Sequence, residues 1–270
     1  MSLIKKVFRR KVEDLRELPT ISDSVQKIVE EIDKESSLSK VSSIIESDQV
    51  ISAKVLRMVN TAYYGLGRRI SSINHATSIL GINVLRGLVI SSYFLSMDDT
   101  GIEGLWEHAS GVAAVAHKIA EELSLSNSEE VAAGALLHDI GKLILREVEA
   151  EKFRDLMHSL SESPGVSFEE KELDFLPVGH QDASLMWMKR YNFPVIIQEI
   201  AAYHHRPALA AVFRKEVAVV HLANIVVKGY GFGFTGDFAV DNFKSAALKY
   251  MSVKRENLSD IVYNALSVLE

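Results

Sequence analysis

Apolar residues recur along most of this chain at steps of three and four, the spacing that gathers them on one face of an α-helix. Val25, Ile28, Val29 and Ile32 follow Ser22 and Asp23, either of which suits a helix N-cap, and Val112, Val115, Ala116, Ile119 and Leu123 form a second such stripe after Trp106. No stretch sustains the period-two alternation of a half-buried strand. Prolines and glycines fall where such helices would end: Pro19, Gly65 and Gly67, Gly101 and Gly104, Pro164-Gly165, Pro177, Pro194, Pro207 and the run over 229–236. The pattern predicts an all-α fold with no internal repeat and no low-complexity tract.

A polar break at Met97-Asp98-Asp99-Thr100-Gly101 separates an apolar helix ending near Leu95 from one beginning near Ile102. It divides the chain into a basic N-terminal helix over 1–17, an N-terminal helical lobe over 18–98 and a second lobe over 99–270. The join is too short to act as a flexible linker, so the lobes are expected to pack on each other. Residues 228–241 (KGYGFGFTGDFAVD) read as a long surface loop. It is either a lid or, more simply, a connection pinned by Tyr230, Phe232 and Phe234.

With 270 residues, 47% of them hydrophobic, the chain can bury a substantial core. Its net charge of −6 gives no global attraction to a polyphosphate backbone, so nucleic acid is not an expected partner. The basic cluster Lys5, Lys6, Arg9, Arg10 and Lys11, interleaved with Leu3, Ile4, Val7 and Phe8, reads first as the solvated face of an ordinary helix; contact with a membrane surface or nucleic acid is the alternative. There is no signal-peptide core, and no run approaches the ~20 apolar residues that span a bilayer. The chain has no cysteine, which excludes disulfides, thiolate metal sites and cysteine nucleophiles. A cytoplasmic location is the expectation, and any metal must be held by His, Asp or Glu.

Those ligand types converge on one motif. His138 and Asp139, in LLHDIGK over 136–142, stand side by side at the end of an apolar helical run, where an imidazole and a carboxylate can straddle one cation and the carboxylate can bridge to a second. His108 opens the preceding helix, and antiparallel packing would bring it to His138. His180 opens a helix after Pro177, while His204 and His205 close the next one, so these ends can meet as well. Imidazole and carboxylate without thiolate suit one or two divalent ions of iron, manganese, zinc or nickel. Such a centre generates hydroxide and clamps a phosphoryl group, and Lys142, one turn after His138, could neutralise a phosphate oxygen. His75, His117 and His158 are assigned no role, and His221, which shares a helical face with Asn224, reads as a packing residue.

The order His108, LLHDIGK over 136–142, His180, His204-His205 and HLAN over 221–224 resembles the HD superfamily of metal-dependent phosphohydrolases, and most nearly its HD-GYP phosphodiesterases. Two departures stand out. Asn224 occupies the position of a family carboxylate, and His204-His205 continues as Arg206-Pro207-Ala208-Leu209 in place of a GYP signature. The first lobe is similar to the HDOD domain of bacterial signalling proteins, through Leu18-Pro19, Ser47-Asp48-Gln49, KVLRMVNTAYYG over 54–65, Ile70-Ser71-Ser72-Ile73 and Ala76 through Leu80-Gly81. The resemblance runs from about 18 to 228 and implies an N-terminal bundle packed on an HD-type bundle. One ion would take His108, His138, Asp139 and the Asn224 position; a second would share Asp139 and take His180, His204 and His205. HDOD relatives are regarded as non-catalytic modules, which implies a regulatory protein acting through signalling partners. The alternative is an active metal-dependent phosphohydrolase of a nucleotide or cyclic nucleotide, with Asp139 and Lys142 as its catalytic groups and a nucleotide or phosphate bound at the metal.

Overall fold

The computed structural model describes residues 3–14, 23–34, 37–62, 70–94 and 102–269. The described residues form helices joined by turns and loops, with no strand among them, as the periodicity predicts. The first helices are α1 (Leu3–Asp14), α2 (Asp23–Ile32), α3 (Leu38–Glu46), α4 (Gln49–Ala62) and α5 (Ile73–Phe94). Next come α6 (Leu105–Glu122), α7 (Ser128–Leu136), α8 (Ile140–Val148), α9 (Ala150–Ser161) and α10 (Phe168–Phe175). The chain continues with α11 (His180–Arg190), α12 (Val195–Tyr203), α13 (Arg214–Tyr230), α14 (Ala246–Met251) and α15 (Leu258–Leu266). The polar break at 97–101 and the tyrosines at 63 and 64 lie outside the described residues.

Local chemistry sets several of the helix ends. Asp48 accepts hydrogen bonds from the amides of Val50 and Ile51 and so starts α4. Ser167 and Glu170 form a reciprocal capping box at α10, and Gly231 ends α13 in the left-handed conformation. Asn60 does more than cap its helix: its side chain donates to the Leu56 and Ile70 carbonyls and accepts from the Ile70 amide, tying the end of α4 to the chain entering α5.

The core is built around α6, which packs against α7, α13, α15 and α4. Nearly every residue from Ala109 to Ala120 is buried, and the run of alanines with Gly111 lets neighbouring backbones come close. Helices α2–α5 pack among themselves, and α4 and α5 also rest on α7. The Arg86 guanidinium on α5 reaches both the Asp33 carboxylate beyond α2 and the Tyr191 carbonyl at the end of α11. The basic α1 is amphipathic: Phe8 and Val12 are buried where it meets α8 and α11, Lys6, Arg9, Arg10 and Lys11 lie on its exposed face, and Lys11 donates to Glu149.

Two sequence expectations change. By length and composition, Ile73–Ser92 of α5 is apolar enough to cross a membrane, although no such run was expected. Its 61% burial explains the composition, because it packs on α2, α3, α4 and α7 and is broken at Gly81, whose φ is 75°. The helix carrying the His-Asp pair was expected to run on to Lys142. It ends at Leu136, winds through a tighter turn held by bonds from Leu137 to Gly134 and from His138 to Ala135, and restarts as α8 at Ile140.

Gly141 lets α8 meet α11: a Cβ there would lie 1.9 Å from the His180 carbonyl oxygen and 2.5 Å from Ser184 Oγ. Gly141→Ala is therefore expected to destabilise the fold by about 1–3 kcal/mol and to lower Tm by several degrees. Gly165→Ala, with open space around its Cβ, should leave Tm within a degree or so of the parent. Equal melting temperatures for the two variants would rule out a tight α8–α11 approach.

Candidate metal centre

Helix ends and turns bring the candidate ligands together. His108 lies in the first turn of α6, His138 and Asp139 in the turn between α7 and α8, His180 at the start of α11, and His204 and His205 just beyond α12. Asn224 projects from the middle of α13. The His108 and His138 rings stand 5.4 Å apart, His138 and His204 4.9 Å, and His180 and His204 5.5 Å. His108, His138, Asp139, His180 and His204 are at most 4% exposed, and His205, 7% exposed, closes the outer side.

The hydrogen bonds fix which nitrogen of each ring faces inward. His138 Nδ1 donates to the Ala135 carbonyl (2.6 Å), His204 Nδ1 to the Ala201 carbonyl (3.1 Å) and His180 Nδ1 to Glu172 (2.9 Å). Glu172, itself buried, also accepts from the His180 amide (2.7 Å). Each ring is thus left with a bare Nε2, and those three atoms and Asp139 Oδ1 are buried without a hydrogen-bond partner. Burying unpaired polar atoms costs roughly 1–3 kcal/mol each, and a cluster of them that converges is one a cation could satisfy. His180 Nε2 lies 3.4 Å and His204 Nε2 3.8 Å from Asp139 Oδ1. Together with His205 they form one candidate set of four ligands, and His108, His138 and Asp139 form another of three.

Electrostatics suits metal binding. Burial, reinforced by neighbouring imidazoles, pushes His108, His204 and His205 well below their ordinary value of 6.5, so they are neutral and carry a free lone pair. Burial alone would raise the Asp139 carboxyl. The Lys142 ammonium and the His138 ring outweigh it and hold Asp139 well below its ordinary 3.8.

The remaining site residues are committed elsewhere. His108 Nε2 donates to Asn224 Oδ1 at 2.9 Å, and His108 Nδ1 is buried without a partner. Lys142, 3% exposed, is held from two sides: it donates to Asp139 Oδ2 at 2.7 Å and to the Thr235 carbonyl at 2.9 Å, with the Phe168 ring 4.9 Å away. His221 Nδ1 donates to the His204 carbonyl and its Nε2 accepts from the Lys244 amide, a packing role that also steadies the His204 backbone. His75 and His158 are exposed; His117 is buried on the far side of α6, beside Glu121. None of the three joins the cluster.

The loop expected over 228–241 starts later, because α13 runs to Tyr230. From Gly231 it crosses the centre as a strap. Phe234 donates its amide to the Gly104 carbonyl, and Gly233 sits where a Cβ would come within 2.2 Å of the His108 amide. Asp237 accepts from the Phe168 amide, from Thr235 Oγ1 and from Lys228. Asp241 and Glu169 each lie 3.5 Å from His205 Nδ1. The space left between strap and ligands, lined by Asp139, Lys142, His205 and Asn224 among others, is only about 10 Å³. Glu169, Glu172 and Asp241 were not picked out from sequence; they are acidic residues in polar surroundings with no spacing that marks them.

The sequence profile of the HDOD domain matches residues 18–207, more than two thirds of the chain. A crystal structure of an HDOD domain protein of unknown function from Geobacter sulfurreducens superposes with a TM-score of 0.61 at 24% identity, covering 97% of this chain and 89% of that one. A candidate signal-transduction protein from Marinobacter aquaeolei VT8 superposes with a TM-score of 0.65 at 20% identity, over 95% of this chain and 59% of its own. An uncharacterized protein of Treponema pallidum (strain Nichols) is 24% identical over 226 residues, 81% of this chain and 43% of that protein, so the chain spans less than half the length of this curated relative. The matched span carries every candidate ligand from His108 to His205 and leaves Asn224 and the strap beyond its end, and on that match the chain belongs to the HDOD domain family.

Proposed function

We propose that this protein is a regulatory HDOD module that holds a divalent metal ion in a sealed internal site and acts through signalling partners rather than by turnover. The observation that carries this reading is closure. The buried His and Asp cluster is capped by a strap whose Thr235 carbonyl accepts from Lys142, and the space above it fits about one water molecule, far short of a nucleotide. A bound ion of iron, manganese, zinc or nickel would supply a Lewis acid among Asp139, His180, His204 and His205. What the chain's own residues do is positional. Ala135, Glu172 and Ala201 hold the rings, and the occupied site ties the turn before α8 to the start of α11 and the end of α12.

The second reading, a metal-dependent phosphohydrolase acting on a nucleotide or cyclic nucleotide, is favoured by one observation: the buried His and Asp ligand set is more complete than a purely structural core requires. It needs the strap to open and Lys142 to leave Asp139.

Removal of metal with a chelator is expected to lower Tm, and readdition should restore it. An ion at a hundred times its dissociation constant stabilises the native state by about 2.7 kcal/mol. An unchanged Tm after verified removal would count against an occupied site.

Across a panel of nucleotides, cyclic dinucleotides and aryl phosphodiesters the metal-loaded protein is expected to show no turnover above buffer. Hydrolysis that disappears in a folded Asp139→Ala variant would establish the phosphohydrolase instead.

Stability of the metal-free protein is expected to depend on pH in a definite sense. The folded state keeps His108, His204 and His205 neutral, while the unfolded chain protonates them near 6.5. The unfolded state therefore binds more protons below that value, and stability, fully present above it, falls as the pH drops further. Urea midpoints measured from about pH 8 to about pH 5 test this; a flat profile would mean that the three rings are not held neutral by the fold.

A further inference from the structure

The two oxygens of Asp139 face different surroundings. Oδ1 has no hydrogen-bond partner and is the one facing the Nε2 atoms of His180 and His204. Oδ2 lies 2.7 Å from the Lys142 ammonium. In a centre of two ions the carboxylate would bridge, with one oxygen on each metal, so Lys142 Nζ stands against the oxygen that a second ion would need.

The other donors on that side are compromised in the same way. Asn224 is neutral, and its Oδ1 accepts from His108 Nε2, so the amide and the imidazole use each other. Only His138 Nε2, 3.4 Å from Oδ2, keeps an uncommitted lone pair aimed at that oxygen. Charge points the same way. A carboxylate 4% exposed requires positive charge nearby, and Lys142 is itself 3% exposed and held from the opposite side by the Thr235 carbonyl. An amide at position 224 in place of a carboxylate removes the negative charge that would compensate a second divalent ion.

We infer that the Lys142 ammonium stands in for the second metal, so that the centre binds a single divalent ion at Asp139 Oδ1 with His180, His204 and His205. This rests on the proposal above that the site holds metal, and it fixes the stoichiometry. Lys142 is then a positioning residue, a built-in counter-cation that keeps one oxygen of Asp139 away from metal and anchors the strap.

The test counts ions on the full chain, stripped of metal and reloaded with excess Mn(II). The metal content after desalting is expected to be about one ion per chain, with the electron paramagnetic resonance spectrum of an isolated Mn(II). Two ions with an exchange-coupled spectrum would overturn the inference while leaving the metal-binding reading intact. Retention of no ion would overturn both. Asn224→Asp alone is expected to stay at one ion, since Lys142 still occupies Oδ2. Asn224→Asp combined with Lys142→Met, which keeps the length of the side chain and removes its charge, is expected to rise to two. A folded double variant that stops at one, or a single Asn224→Asp variant that reaches two, would show that Lys142 does not hold the place. Should the double variant fail to fold, the wild-type count and spectrum still decide.

Discussion

A carboxylate buried among imidazoles is the constraint around which this molecule is arranged. Asp139 is taken almost wholly out of water, and desolvation on that scale drives a carboxyl towards protonation unless cations or donors compensate. Lys142 compensates one oxygen, and the inward nitrogens of His180 and His204 face the other. Each ring is pinned from behind by a carbonyl or by Glu172, so the convergence does not depend on the ion arriving first.

Backbone approach at two glycines makes that arrangement possible. Gly141 lets the turn after Asp139 press on the His180 carbonyl, and Gly233 lets the strap lie on the amide of His108. Around them, the alanine-rich α6 and α7 bring helix axes close enough for side chains as short as Asp139 and Asn224 to reach a common centre. A methyl group at either glycine would displace backbone rather than a flexible side chain.

The convergence of the candidate ligands was legible in sequence because a chain without cysteine has few residue types that can hold a transition metal, and because helical periodicity places His108, His180 and His204-His205 at helix ends. The all-α class followed from the same periodicity. Less accessible were features that depend on what lies across space. The break at 137–139 has no proline or glycine inside it to announce it, since the residues there are Leu137, His138 and Asp139. Glu172 precedes His180 by eight positions in a polar stretch and reaches it because the chain bends through Leu176, Pro177 and Val178. Lys142 read as a phosphate ligand because it follows His138 by one turn, whereas its surroundings, Asp139 on one side and a backbone carbonyl on the other, are set by a strap more than ninety residues away.

A site this enclosed has consequences beyond itself, because the elements that carry its ligands are also the ones the N-terminal helices rest on. α11 begins with His180 and ends at Tyr191, whose carbonyl receives Arg86 from α5, and α1 lies on both α11 and α8. α7, which leads into Asp139, is packed by α4 and α5. Filling the centre would stiffen α8, α11 and α12 against one another by giving the converging lone pairs a common partner, and of these α8 and α11 pack on α1 while Tyr191, just after α11, meets Arg86 of α5. An ion bound in this buried cluster would be read at the surface through the rigidity of the helices it joined, which is the physical form that regulation without turnover would take in this fold.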